Sequence, residues 1–198
     1  TYPAKKVYHN ISNLFIDRFD PTCSLLDEND KGVYINQFLI EIASYIDEES
    51  QTYYDNFNYS KQFKPSSVQL GLQTPNNLTA LLYLSDLYEV SSIIYIDSLQ
   101  VKITTSKKTR ENLHILHKEG SFMELDEPMD FKEGAYDNLG ECFVLDTKDL
   151  DIYTTKLQTI GKYKSPELIE IAKDIGISLE HQGKKKIKKQ KGRKGIWI

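Results

Sequence analysis

The stretch from Leu78 to Asp126 constrains the fold more than any other part of the chain. LTALLYLSDLYEV reads as a helix, with Leu78, Leu81, Leu82, Ser85 and Tyr88 at helical spacing and Leu84 and Leu87 widening the apolar face. Asn77 stands where its side-chain oxygen can accept from a free amide of the first turn. Ile93, Ile94, Tyr95 and Ile96 form a wholly apolar run, as expected of a strand covered on both faces. LQVKI reads as a short edge and NLHILHKEGSFMELD as a hairpin. Lys118-Glu119-Gly120 predicts a three-residue hairpin loop, with Gly120 supplying the positive φ. A helix laid on a small sheet follows. The expected class is α+β, with a mixed or antiparallel sheet packed with helices.

The flanks are less regular. Val7, Tyr8, Ile11, Leu14, Phe15 and Phe19 predict an amphipathic helix over Tyr2 to Phe19, ended by Asp20-Pro21. Asp27 to Gly32 reads as a polar turn. Val33 to Glu48 reads as a helix with Ile35, Phe38, Leu39, Ile42, Tyr45 and Ile46 on one face, capped by Asn29 or Asp30. From Gln51 to Pro75, Tyr53, Tyr54, Phe57, Tyr59 and Phe63 are set among polar residues. They pack over the core from a loop or short helix, or they form an aromatic surface for a partner protein. Pro128 to Leu145 reads as a loop closed by a short strand over Glu141 to Leu145, with turns at Gly134 and Gly140.

The net charge of −4 conceals a division. From Gly161 onward there are 11 Lys+Arg against 4 Asp+Glu, a balance of +7, so the remaining 14 against 25 carry −11. At 198 residues, one acidic core domain over 1–150 and an appendage over 151–198 are expected. In the appendage Ser165 reads as an N-cap and Pro166 as the first helical residue. Leu168, Ile171, Ala172 and Ile175 share a face, and Gly176 is placed to end the helix. Lys184, Lys185, Lys186, Lys188, Lys189, Lys191, Arg193 and Lys194 then crowd into one run. Such a run binds nucleic acid or an acidic partner, or serves as a solubilising or nuclear-targeting tail.

Several classes of function are disfavoured. No apolar run approaches the roughly 18 residues of a membrane span, and no signal peptide is read at the start. Cys23 and Cys142 are too few for a disulfide framework and lack metal-site spacing, which points to a reducing, intracellular setting. There is no G-x-G-x-x-G, Walker-type loop or H-E-x-x-H, so no cofactor, metal or small-molecule ligand is expected. ELDE (124–127) and DEND (27–30) read as solvated turns. His114 and His117 fall on opposite faces of one strand and cannot share a metal from there.

Three resemblances add to this. SPELIEIAKDIGISLEHQGKKKIKKQ resembles the SAP motif, a helix, extended turn and second helix that binds DNA in that family. The matching positions are Leu168, Ala172, Lys173, Gly176, Ile177, Gly183 and Lys184; where the family's second helix carries leucines, this chain runs into KKQKGRKGIWI. The layout, with YKSPELIEIAKDIGI followed by lysines, is similar to uncharacterised proteins of giant, nucleocytoplasmic large DNA viruses. Residues from Cys23 to Asp126 also resemble the ovarian-tumour (OTU) class of papain-like cysteine proteases. That likeness implies Cys23 in FDPTCSLL as nucleophile, with Asp20 upstream. The family's base histidine falls where this chain has Ser121-Phe122, which leaves His117, across the hairpin loop, as the candidate base.

Two functions are thus expected from different classes. The leading one is a non-enzymatic structural or interaction protein, a virion or minor capsid component, whose tail meets other virion proteins or nucleic acid in the virion or the host cytoplasm or nucleus. The alternative is an OTU-like cysteine protease acting on ubiquitin-like or viral precursor substrates through Cys23 and His117.

Overall fold

Elements are placed in the computed structural model for residues 6–106, 109–154, 164–166, 168 and 169. β1 (Val7–Tyr8) leads into α1 (Ile11–Phe19), α2 (Pro21–Ser24), α3 (Glu28–Glu48), α4 (Ser50–Phe57), α5 (Pro65–Gln73) and α6 (Leu78–Leu87). β2 (Val90–Ile96), β3 (Val101–Thr104), β4 (Glu111–Lys118), β5 (Ser121–Leu125) and β6 (Lys132–Glu133) follow, and a 3-10 helix spans Tyr136–Glu141. The strands pair in the order β1-β5-β4-β2-β3-β6. β2 and β4 run parallel at the centre, while β1–β5, β4–β5 and β2–β3 are antiparallel. The fold is α+β with a mixed sheet, as the sequence leads one to expect.

The Leu78–Asp126 unit is indeed the centre. Asn77 caps α6, its Oδ1 accepting from the amides of Thr79 at 2.8 Å and Ala80 at 3.4 Å. Every residue from Leu78 to Asp86 is buried, so burial extends beyond the expected apolar face to all but the last residue of the helix. Val90, Ile94 and Ile96 of β2 join Leu113, Ile115 and Phe122 in the core shared with the helices. Tyr95 points the other way, packing with Leu116 and Leu125 under Met129 and Phe131. The strand is covered on both faces. The hairpin differs by one residue: Lys118 pairs with Ser121. Glu119 (φ 49°) and Gly120 (φ 73°) form a two-residue loop with positive φ at both positions, a shape that matches the twist of the strands.

Local capping chemistry corrects the flanks. The helix predicted over 2–19 begins only at Ile11, because Asn10 accepts from Ser12 N at 3.0 Å and Val7-Tyr8 instead pair with Met123 and Phe122 at the sheet edge. Asp27, not Asn29 or Asp30, caps α3, accepting from both of their amides at 2.9 and 3.0 Å. The predicted polar turn is therefore mostly the first turn of that helix, where acidic residues favour the positive end. The buried face of α3 carries Ile35, Leu39, Ala43 and Ile46, whereas Tyr45 is 55% exposed. Residues 51–75 supply α4 and α5, and Tyr53, Tyr59 and Phe63 are buried, so these rings are core. No strand forms over 141–145; Val144 makes a single bridge to Asn77.

The chain divides between Thr155 and Lys156. Residues just past 150 still belong to the body. Ile152 O accepts from Ser60 N at 2.8 Å, and Thr154 N donates to Asn58 O at 2.9 Å. In the second unit Leu168 N donates to Lys164 O at 3.1 Å, so Lys164 holds the cap position and Ser165, the expected cap, is the first helical residue.

Candidate functional site

The tail residues Lys184, Lys185, Lys186, Lys188, Lys189, Lys191, Arg193 and Lys194 lie outside the described residues. Of the positions shared with the SAP motif, Leu168 alone lies within them. The candidate thiol and imidazole can be placed.

Pro21 after Asp20 ends α1 and starts α2, whose single turn carries Cys23. Asp20 Oδ1 accepts from Cys23 N at 2.8 Å and from Tyr34 Oη at 3.0 Å. The thiol is fully buried and its Sγ lies 3.9 Å from Asp17 Oδ1. Burial, then the Asp17 carboxylate, pushes the Cys23 thiol above its ordinary value. Lys31 and Lys6 act the other way without outweighing these, whereas a nucleophilic thiol needs a net shift towards thiolate.

His117 is near the far end of β4, its ring 5.0 Å from that of Phe122, and burial pushes its imidazole down. The charges that act on the Cys23 thiol are those of Asp17, Lys31, Asp20 and Lys6, whereas Glu141 acts on the His117 imidazole, which is in register with Ile96 at the end of β2. His114 faces the opposite side of the sheet, its Nδ1 2.9 Å from Tyr95 Oη.

Two carboxylates, the half-buried Asp17 and the buried Asp86, do gather polar partners. Asp17, on α1, is 8% exposed and receives Lys6 Nζ at 2.6 Å, Lys31 Nζ at 2.7 Å and Tyr8 Oη at 2.6 Å. Burial alone would raise its pKa, but hydrogen bonds from Lys31, Lys6 and Tyr8 outweigh that and hold the carboxyl well below the usual range. The same contact raises Lys31, chiefly through its hydrogen bond to Asp17. Asp86, near the end of α6, is 1% exposed. It pairs with Arg110 and accepts from Tyr59 Oη at 2.7 Å, and both its oxygens accept from Tyr153 Oη at 2.9 Å. Burial, then Asp86, pushes the Tyr59 phenol well above its ordinary value.

Sequence reasoning passes over both clusters. Their partners stand up to 67 residues away, so no short spacing marks them. The available signal is a lone aspartate inside the apolar run LTALLYLSDL, which a buried helix tolerates only if the charge is paired. Chemically these carboxylates are anchors, surrounded by donors and tied to remote elements. Among the described residues no group of three or more His, Cys, Asp or Glu is placed to hold a metal ion, and no helix is long and apolar enough to cross a membrane.

No protein-family model, curated protein or solved structure matches this chain.

Proposed function

We propose that the protein is a non-enzymatic structural or interaction protein, a virion component of a large DNA virus, whose basic C-terminal run binds nucleic acid through charge. The observation that carries this reading is the division of charge, −11 before Gly161 and +7 from there on. A lysine-rich run on an acidic body attracts phosphate while the body repels it, so contact is confined to the tail. The viral assignment rests on the likeness of Tyr163 to Lys189 to the terminal segments of giant-virus proteins. The surroundings of Cys23, a buried thiol beside a carboxylate, favour no second reading as a protease.

The test is DNA binding by the full chain and by a chain lacking residues 183–198, at several salt concentrations. Each phosphate contact contributes roughly −0.9 to the slope of log K against log salt on duplex DNA. With about four to six contacts, affinity falls by roughly four to five orders of magnitude for a tenfold rise in salt. Truncation abolishes binding and leaves unfolding of the body unchanged. Equal binding by both chains, or none by either at low salt, removes nucleic acid as the partner. Loss of the body's fold on truncation would make the tail structural instead.

A further inference from the structure

The Asp17 cluster opens onto a cavity of about 480 Å³ between the β1–α1 segment and the start of α3. Lys6 and Lys31 both reach one oxygen at its mouth, Glu28 Oε1, at 2.9 and 3.2 Å. Glu28 itself is 73% exposed, whereas the Asp17 beneath is 8% exposed and fixes both ammonium groups at 2.6 and 2.7 Å. Both cations are therefore held by the half-buried Asp17 carboxylate as well as by Glu28. We propose that this pocket binds a small organic carboxylate, whose carboxyl group takes the position that Glu28 occupies between Lys6 and Lys31.

Three features favour that ligand. Charge is the first. Without Glu28, Lys6, Lys31 and Asp17 sum to +1, which one carboxylate neutralises and a phosphate ester, with a charge near −2, would overshoot. Shape is the second: Val7, Ile35 and Pro75 give the pocket apolar walls, and its volume is within the range of small-molecule sites. The third is Gly32, which lines the pocket from inside α3. A Cβ there would meet nothing within 4 Å, so packing does not demand a glycine. Glycine inside a helix lowers stability relative to alanine, and here the space it leaves is part of the cavity. Displacing Glu28 costs little because exposed ion pairs are weak. The sequence alone raises no expectation of a small-molecule ligand, since Lys6, Asp17, Glu28 and Lys31 follow no binding motif.

The test is calorimetric titration of the full chain with benzoate, its neutral isostere benzamide and inorganic phosphate. Benzoate is expected to bind, and Glu28→Gln, which removes the competing carboxylate, to tighten binding by up to about fivefold. Gly32→Leu places an apolar side chain at the pocket wall without removing a charge and is expected to weaken binding at least tenfold while thermal stability is kept. Benzamide is expected to bind at least tenfold more weakly. No benzoate binding to the Glu28→Gln chain, undiminished binding to the Gly32→Leu chain, or equal binding of benzamide would each overturn the site. Phosphate binding more tightly than benzoate would overturn the carboxylate assignment.

Discussion

The same substitution at two helical glycines should have opposite effects. Gly32 in α3 and Gly71 in α5 both sit inside helices, where alanine is favoured over glycine by about 0.5–1 kcal/mol. At Gly32 a Cβ meets nothing within 4 Å, so Gly32→Ala should stabilise by about that amount. At Gly71 the Cβ would lie 2.7 Å from Asn77 Oδ1 and 3.2 Å from Ala80 N. That oxygen cannot swing away freely, because it accepts from Thr79 N while Asn77 Nδ2 donates to Asp146 at 2.9 Å. Losing the cap costs about 1 kcal/mol, and forcing a methyl group into a filled space about 1–3 kcal/mol. Set against the helical gain, Gly71→Ala should destabilise by about 1–3 kcal/mol. The two variants should differ by about 2–4 kcal/mol in urea unfolding, with unchanged m-values. A stabilised Gly71→Ala chain would refute the argument that the α5–α6 contact is closed by the absence of a side chain.

Leu82 is 3% exposed on α6, so Leu82→Ala should cost about 2–5 kcal/mol in the same assay, and a loss below about 0.5 kcal/mol would place that side chain outside the core. Tyr153→Phe removes a donor from buried Asp86 and should cost about 1–3 kcal/mol; an unchanged midpoint would show that Tyr59 and Arg110 suffice. Burial pushes Tyr83 and Cys142 up to about 12 from ordinary values near 10 and 9. The unfolded chain then releases these protons first, so their stabilisation is complete below about pH 9 and lost as pH climbs towards 12. Thermal midpoints should fall from pH 9 to 11, and a rise over that range would contradict the sign.

What could be read from the sequence was what depends on neighbours along the chain. The α6 helix, its Asn77 cap and the doubly covered β2 strand were legible because spacing and composition report burial directly. The start of α1 was obscured because Val7 and Tyr8 fit a helical stripe as well as they fit an edge strand, and only the partner β5 decides between them. The start of α3 was obscured by four polar residues in succession, three of which, Asp27, Asn29 and Asp30, suit a cap. In the aromatic stretch, Tyr53, Tyr59 and Phe63 pack over the core as one of the two readings had them, their rings lying against one another and against Tyr83, while their polar neighbours along the chain had left the other reading open. Cys23 and His117 could be nominated from the sequence, but the surroundings of each, Asp17 beside the thiol and Phe122 beside the imidazole, belong to the tertiary fold.

The two aspartate clusters are a different kind of illegibility, because each joins residues that no local rule connects. Asp86 draws Tyr59 from 27 residues before it, Arg110 from 24 after and Tyr153 from 67 after. A buried carboxylate lacking partners is strongly destabilising, whereas a paired one gives little net stability over apolar packing. The cluster therefore contributes most by making alternatives costly: a body in which Tyr153 and its neighbours are displaced leaves Asp86 short of donors. That argument bears on the appendage. Ile152 to Thr154 are fixed by backbone hydrogen bonds to Asn58 and Ser60 as well as by Tyr153, so the body is closed before Lys156 begins the second unit. A body closed in this way can keep its core whatever the basic run binds, which is why removal of residues 183–198 should separate binding from folding.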